Sequence, residues 1–221
     1  MESENQNIST WLDRPLIGLT SLNIEKVLVT AIIILAVFSR FYILGNRTMS
    51  HDEVNHVVPS WELFQGQGYR HDPVTHGPFQ FHVVALTYFL FGDNDLTSRT
   101  PAALLSIGAV IFVLFGYRRY LGRAGALLAG LFFLISPYML FYGRYTRNEG
   151  FIELFGVVMI YATLRYLERG ERWAMYLLTA ATVLHFTAKE TAFIYTAQFL
   201  LFVAVVFIFS ILNRLERATT S

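Results

Sequence analysis

Residues 25–44 read EKVLVTAIIILAVFSRFYIL, and residues 49–56, shortly after them, read MSHDEVNH. At about 1.5 Å per residue, the first stretch is long enough to cross roughly 30 Å of hydrocarbon as a helix. The second stretch places two carboxylates and two imidazoles where the chain would leave the membrane. Because a bilayer core satisfies no stray polar group, such residues at the mouth of a helix bundle indicate an aqueous site.

The composition of the whole chain is that of an integral membrane protein. Of the 221 residues 54% are hydrophobic and only 15% are charged, and the formal net charge is +1. We therefore predict an all-α integral membrane protein without a nucleic-acid partner. The absence of cysteine excludes disulfides, thiolate metal ligands and a cysteine nucleophile. Residues 1–24 are polar and lack the features of a secretory signal, so we expect a cytoplasmic N-terminal segment.

Six apolar runs are candidates for membrane spans. They are Glu25 to Leu44, Pro101 to Phe115, Gly125 to Tyr142, Phe151 to Tyr166, Ala174 to Ala188 and Ile194 to Leu212. A seventh run, Phe79 to Phe91, is shorter and carries polar side chains, so we expect it to lie in the interface. The sequence thus predicts six transmembrane helices over residues 25–212, one long external loop over residues 45–100 that carries interfacial helices, and a cytoplasmic tail over residues 213–221.

The distribution of basic residues supports six spans rather than seven. With six spans, ten of the 17 basic residues lie on the starting side, namely Arg14, Lys26, Arg118, Arg119, Arg123, Arg165, Arg169, Arg172, Arg214 and Arg217. With seven spans, only six remain there, namely Arg14, Lys26, Arg99, Arg144, Arg147 and Lys189. Because basic residues favour the cytoplasmic side, we predict a multi-pass protein of the cell membrane with both termini in the cytoplasm.

The predicted external face collects most of the unusual chemistry. Its charged residues are Asp52, Glu53, Asp72, Glu149 and Glu190 together with Arg70, Arg144, Arg147 and Lys189. Carboxylates and cations that face one cavity suit a reaction in which an acid side chain deprotonates a hydroxyl or amide while a phosphate leaves against fixed positive charge. Arginine suits the phosphate because its planar fork gives bidentate hydrogen bonds.

Structural interpretations compete with this functional one. Ser50 and Glu53 have the spacing of a helix capping box, so Asp52 and Glu53 could equally begin a solvated helix. The turn from Arg144 to Glu149 could be an interfacial belt of long side chains. The turn nevertheless places two arginines, Arg144 and Arg147, on the external side of the membrane, where positive charge is disfavoured. This placement favours an anionic ligand over the structural interpretation.

Four residues inside or between the predicted spans carry further expectations. Glu153 follows Glu149 by one helical turn inside a span, where a carboxylate should pair with an arginine or face the cavity. Lys189 and Glu190 could pair with each other or contact a substrate. His185 is expected to be a packing residue that forms a hydrogen bond.

Histidines in the predicted external loop raise the possibility of a metal cofactor. His51, His56, His71 and His76, with Asp52 and Asp72, could form a metal site, because imidazole and carboxylate suit zinc or manganese. Of these we take His51, His56 and His76 as the candidate ligands of a divalent metal ion. No spacing among them is a known metal signature, and surface histidines are common. The sequence leaves open whether a divalent metal ion is bound.

Short motifs succeed one another from Ser39 to Thr191. They include His51-Asp52-Glu53, His76-Gly77-Pro78-Phe79-Gln80, Ser98-Arg99-Thr100-Pro101-Ala102-Ala103, Tyr142-Gly143-Arg144, Arg147-Asn148-Glu149 and Ala188-Lys189-Glu190. Their order resembles the amino-terminal half of the type-C glycosyltransferases, the polyprenyl-phosphate-dependent membrane enzymes that include protein O-mannosyltransferases. The resemblance is closest to the mannosyltransferase-like branch described as flippase-associated.

The resemblance implies a type-C core that moves a sugar from a polyprenyl-phosphate donor to an acceptor on the external face. It implies Asp52 as the catalytic base, Glu53 as a helper beside it and Glu149 as a further acid of the site. Arg144, Arg147 and Lys189 would face the lipid phosphate, and we add Arg70 because it lies on the same predicted face.

Three functions remain open at this point. Relatives usually continue through further spans. The first function is therefore a glycosyltransferase, or the amino-terminal half of one, in contact with membrane lipid. The second is a non-catalytic subunit of a larger membrane complex, with other membrane subunits as partners. The third, a lipid or ion carrier, is the least favoured because no broken, repeat-related helices are predicted.

Overall fold

The computed structural model describes residues 12–13, 23–71 and 75–219, with side chains placed as far as Asn213. The helices of these ranges are α1 (Ile24–Phe41), α2 (His51–Phe64), α3 (Pro78–Phe91), α4 (Asp95–Gly116), α5 (Arg118–Ile135), α6 (Pro137–Tyr142), α7 (Glu149–Arg169), α8 (Arg172–Ala188) and α9 (Ala192–Thr219). Arg14 and Asp72 lie outside the described residues, as do the side chains of Arg214 and Arg217.

The prediction of an all-α protein is confirmed for the described residues. Among them, α4, α7 and the Ala192–Asn213 part of α9 are each long and apolar enough to cross a membrane. The helices α1 and α5 carry more charge near their ends, and α8 is shorter, with 17 residues. The predicted interfacial run forms α3, an apolar helix of 14 residues. The number of spans beyond these three helices stays a prediction.

The predicted run from Gly125 to Tyr142 is not one continuous helix, because it breaks between Ile135 and Pro137. Proline has no amide hydrogen, so the carbonyl oxygen of Phe133, four residues earlier, loses its helical donor. The fully buried Arg40 of α1 donates to this oxygen at 2.9 Å and to the next carbonyl oxygen at 3.0 Å. A cation at a helix C-terminus also suits the helix dipole. Arg40 thus caps α5.

The central helix of the bundle is α4, which packs against α1, α3, α5 and α7. One core cluster joins Ile32 and Ala36 of α1 to Val110 of α4, and a second joins Ala102 of α4 to Phe151 of α7. Small residues along α4 allow neighbouring backbones to approach closely, as is common between membrane helices. As a result, α4 fixes the positions of the helix ends that carry the charged side chains.

The last helix, α9, is the least covered of the three membrane-length helices. It contacts the end of α8, and only 6% of its membrane-length segment is buried. A cavity of about 340 Å³ lies between α9 and α7, and apolar side chains form most of its lining. The apolar surface of α9 is therefore open to lipid or to another protein.

Gly77 fixes the start of α3 against the end of α8. Its amide donates to the carbonyl oxygen of Ala188 at 3.2 Å, and a Cβ atom at this position would overlap the carbonyl group of Thr187. The preceding residue, His76, has a φ of 69°, a left-handed conformation that few residues with a side chain adopt. The close approach brings His76 next to the residues that follow α8.

We expect Gly77→Ala to push α3 away from α8, because the new methyl group has no room. The cost should be about 1–3 kcal/mol, visible as a lower midpoint of thermal unfolding in detergent. The matched control is Gly156→Ala in α7, where nothing lies within 4 Å of an added Cβ atom. Equal midpoints for the two variants would contradict the close approach.

Candidate active site

The sequence MSHDEVNH forms the N-terminus of α2. The amide of Glu53 donates to the side chain of Ser50 at 3.4 Å, and the amide of Ser50 donates to the carboxylate of Glu53 at 3.2 Å. This is the capping box that the spacing predicts. The helix therefore begins at His51, and both acids lie in its first turn, where the helix dipole favours negative charge.

Glu53 and Arg99 form a buried ion pair, and both residues are 0% exposed. The guanidinium of Arg99 donates to the two carboxylate oxygens at 2.8 and 3.0 Å. The same carboxylate accepts hydrogen bonds from Arg47 at 2.9 Å and from the amide of Thr146 at 3.2 Å. Glu53 therefore joins the start of α2 to α4 and to the loop that precedes α7.

The environment of Glu53 keeps it ionised. Burial alone would raise its pKa, but the hydrogen bonds from Arg99 and from the amides of Ser50 and Thr146 outweigh burial and hold the pKa below its ordinary value. A carboxylate that already accepts so many hydrogen bonds is poorly suited to take a proton from a substrate. The geometry gives Glu53 a positioning role for Asp52, its neighbour in the chain.

Glu53→Gln should destabilise the protein strongly, because it leaves the buried Arg99 without a carboxylate. Breaking a buried ion pair from one side costs about 3–5 kcal/mol, and we expect a fall of this size in the free energy of unfolding. The matched control is Glu62→Gln, at an exposed position of the same helix. If Glu53→Gln is as stable as the control in denaturant titrations, the anchoring role is wrong.

Four predicted site residues from distant parts of the chain meet in a continuous row, which we call the charge row. Arg147 donates to Asp52 at 2.9 Å, and its Nε atom lies 3.5 Å from a carboxylate oxygen of Glu149. Lys189 donates to the other oxygen of Glu149 at 2.5 Å. The row runs from the start of α2, past the start of α7, to the end of α8. Asp52 is its open end, with 52% of the side chain exposed, against 7% for Glu149.

His76 and Glu190 form a separate pair beside the charge row, because Glu190 directly follows Lys189 in the chain. The Nδ1 atom of His76 lies 2.5 Å from a carboxylate oxygen of Glu190. Lys189 and Glu190 therefore do not pair with each other, as one interpretation of the sequence expected, but each has a partner on another element. His56 of α2 lies beside this group, with 6.3 Å between the ring centroids of His56 and His76.

The buried His56 is held neutral. Burial, followed by the nearby charges of His76, Arg147 and Lys189, lowers the pKa of His56 to about 4, although Glu149 acts in the opposite direction. Its Nδ1 atom is buried without a hydrogen-bond partner in the described part of the chain. A neutral imidazole with an unused nitrogen can accept or donate a hydrogen bond beside the charge row.

The low pKa of His56 predicts a loss of stability in mild acid. The unfolded state, with a pKa near 6.5, binds a proton more readily than the folded state, so stability falls as the pH drops from about 6.5 towards 4. Thermal midpoints measured between pH 7.5 and pH 5 should decline, and His56→Gln should flatten that decline. Protonation of Glu53 also lowers the stability of the protein, but only near and below pH 4.5. A flat wild-type profile over this window would contradict the assignment.

Three predicted site residues lie apart from the charge row. Arg144 donates to the carbonyl oxygens of Ser39 and Tyr42, at 3.0 and 2.7 Å, and so caps the end of α1. Arg70 is exposed in the segment after α2 and forms no ion pair within the described residues. His51 is the exposed first residue of α2. The roles predicted for Arg70 and Arg144 in binding substrate phosphate stay predictions.

The histidines do not assemble a set of metal ligands in this arrangement. No three histidine, aspartate or glutamate side chains of the described residues come close enough together to hold a metal ion. The structure brings His56 and His76 together but not His51, and Asp72 is not among the described residues. A divalent metal cofactor stays a prediction, and we assign no step of the reaction to one.

The two predicted polar residues inside spans behave differently. Glu153 lies one turn beyond Glu149, near Ser106 and Arg40, so an arginine is close, although no direct ion pair forms within the described residues. His185 is buried and packs against the ring of Tyr195, with 5.1 Å between centroids. The expected hydrogen bond of His185 is absent from the described contacts.

Sequence reasoning missed the residues that support the site. Arg47, Arg99 and Thr146 all bind the carboxylate of Glu53, yet none was predicted to do so. Arg99 gave the only usable signal, because an arginine at the start of an apolar run needs a carboxylate partner or water.

The sequence of the chain matches a known protein family. The sequence model of a family described as dolichyl-phosphate-mannose-protein mannosyltransferase matches residues 75–215, more than half of the chain. The chain belongs to this family. The matched region contains Arg147, Glu149 and Lys189 of the charge row and begins after Asp52 and Glu53. No curated protein sequence matches the chain.

Membership of the family confirms the resemblance that the motifs indicate. Together with the apolar helices, it identifies a multi-pass membrane protein of the mannosyltransferase-like glycosyltransferase type. Arg99 also falls within the matched region. The buried partner of Glu53 therefore lies in the part of the chain that the family model matches.

Proposed function

We propose that the chain transfers a sugar from a polyprenyl-phosphate donor to an acceptor hydroxyl at the external membrane face, with Asp52 as the base. The observation that carries the proposal is the charge row, in which Asp52 and Glu149 lie on either side of Arg147. Family membership supports the donor class, since the family is described by its dolichyl-phosphate-mannose donor.

Asp52 suits the role of base better than its neighbour Glu53. Half of its side chain is exposed, and Arg147 is its one hydrogen-bond partner among the described residues. That single bond orients the carboxylate and leaves lone pairs free to accept a proton. A general base must reach the proton that it removes, and only an accessible carboxylate can do so.

Arg147 and Lys189 suit the donor phosphate. They lie at the inner part of the charge row and are mostly buried, with 27% and 14% of their side chains exposed. In such a partly dry place a cation stabilises a phosphate more strongly than it would in water. Because Arg147 contacts Asp52 as well, a phosphate bound there would lie beside the base.

The reaction that follows from this geometry is a displacement. Asp52 removes the proton from the acceptor hydroxyl, and the hydroxyl oxygen forms a bond to the anomeric carbon of the sugar. The bond between that carbon and the phosphate oxygen breaks, and its electron pair leaves with the lipid phosphate. Arg147 and Lys189 stabilise the negative charge that develops on the phosphate.

The proposal includes a placement in the membrane. Six spans, formed by α1, α4, α5 with α6, α7, α8 and α9, put the charge row at the external side and both termini in the cytoplasm of the cell. Ion pairs that link Glu25 to Arg118 and Arg123 lie at the opposite end of the bundle, which suits the arginine-rich cytoplasmic side.

A second candidate function is that of a structural subunit in a larger membrane complex. The observation that favours it is α9, whose membrane-length segment is almost entirely uncovered. A second membrane protein could pack on this apolar surface. In that case the protein would copurify with a partner in fixed ratio and would not turn over either sugar donor.

Asp52→Asn should abolish transfer while leaving the fold intact. A general base contributes about 100-fold to 10,000-fold in rate, so we expect at least about a 100-fold loss of sugar release from polyprenyl-phosphate mannose or glucose. The thermal midpoint should change little, because the pair with Arg147 is half exposed. The assay uses the chain purified in detergent with everything that copurifies.

Glu62→Gln, an exposed acid-to-amide change on the same helix, should leave turnover unchanged. Turnover of Asp52→Asn within about twofold of the wild type would remove Asp52 as the base. If the wild type itself turns over neither donor and carries a stoichiometric partner, the structural-subunit function is favoured instead.

A further inference from the structure

A groove with two arginines lies on the flank of the bundle, between the end of α1 and α6. It has a volume of about 390 Å³ and is lined by Ile43, Arg47, Leu140, Phe141 and Arg144, among others. We call it the arginine groove. No residue of the charge row lines it, and the Arg144 side chain points away from that row to the carbonyl oxygens at the end of α1.

The arginine groove carries more positive charge than its carboxylates neutralise. Arg144 has no carboxylate within ion-pair distance among the described residues, since its guanidinium binds two backbone carbonyl oxygens. Arg47 binds Glu53, but the same carboxylate also holds the buried Arg99. One carboxylate thus serves two guanidinium groups and a third has none, which leaves the groove complementary to an anion.

The floor of the groove is apolar and open. Ile43 and Phe141 are exposed, and the guanidinium of Arg47 lies 5.7 Å from the ring centroid of Phe141 and 5.0 Å from that of Tyr145. Ile43 has a φ of 46°, a left-handed conformation that is rare for a β-branched side chain. A cationic rim beside an exposed apolar floor matches an anion that carries a hydrocarbon chain.

We propose that the arginine groove binds the phosphate headgroup of a membrane lipid. Arg47 and Arg144 contact the phosphate, and the first part of the lipid chain lies along Leu140 and Phe141. A polyprenyl phosphate and an anionic phospholipid both carry this chemistry. The inference rests on the proposed function in one respect, namely the membrane placement that puts the groove at the height of the external lipid headgroups. It requires no transfer reaction.

The test measures lipid binding to the full chain by native mass spectrometry. The probes are phosphatidylglycerol, a short-chain polyprenyl phosphate, phosphatidylcholine and inorganic phosphate. Arg144→Gln removes the charge, and Leu140→Trp fills the apolar floor without touching any charge. We expect Arg144→Gln to weaken binding of the anionic lipids at least about tenfold, because it removes one charged contact. Leu140→Trp should weaken it by about the same factor, because the larger side chain occupies the space of the lipid chain.

Controls separate the groove from general effects of charge and stability. Arg144→Lys keeps the charge and should retain most of the binding if folding is intact, and Arg172→Gln removes one positive charge at the opposite end of the bundle. The proposal would be overturned if Arg144→Gln and Leu140→Trp both bound the anionic lipids as the wild type does. It would also be overturned if Arg172→Gln lost as much binding as Arg144→Gln, or if phosphatidylcholine bound as tightly as the anionic lipids. Inorganic phosphate that binds as tightly as the lipids would overturn it as well.

The probes also identify the source of the phosphate. A preference for the polyprenyl phosphate that Arg144→Gln and Leu140→Trp remove would make the groove a holding site for the donor. Equal binding of phosphatidylglycerol that the same two variants weaken would make it a site for anionic lipids in general. Both results support the proposal, whereas binding that neither variant changes belongs to the charge row. Asp52→Asn should keep full lipid binding. The groove can therefore fail while transfer by Asp52 stands, and transfer can fail while the groove binds lipid.

Discussion

The buried pair of Glu53 and Arg99 is the interaction on which the site depends. Removing two charges from water is costly, and the cost is met only where every remaining donor and acceptor finds a partner. Here the partners come from the loop after α1, from the capping box of α2 and from the amide of Thr146. Satisfying one carboxylate therefore brings together the segments that carry Asp52 and Arg147.

Two neighbouring carboxylates have opposite environments as a result. Glu53 faces inward and is surrounded by donors, whereas Asp52 faces outward with a single arginine beside it. The side chains have the same chemistry, but only the outward one has lone pairs within reach of a substrate. Environment rather than residue type thus gives Glu53 the anchoring role and leaves Asp52 accessible for the chemistry that we propose.

Local signals in the sequence predicted more than long-range ones did. Apolar runs predicted the helices, and the spacing of Ser50 and Glu53 predicted the capping box, because both depend on near neighbours. The break at Pro137 was missed because the apolar run continues through it, and its cap, Arg40, comes from another helix. The charge row was predicted as a set of residues, but the pairing of Lys189 with Glu149 depends on how α7 and α8 pack.

The charge row is nearly neutral in itself, since each of its cations already faces a carboxylate. A dissolved phosphate that displaced one carboxylate would gain little, because it would exchange one ion pair for another. A phosphate tethered to a lipid chain is different, since the chain confines it to the membrane surface and raises its effective concentration at the row. If the charge row binds the donor phosphate as proposed, its internal pairing would let the site select an anion by where the anion is held and not by its charge.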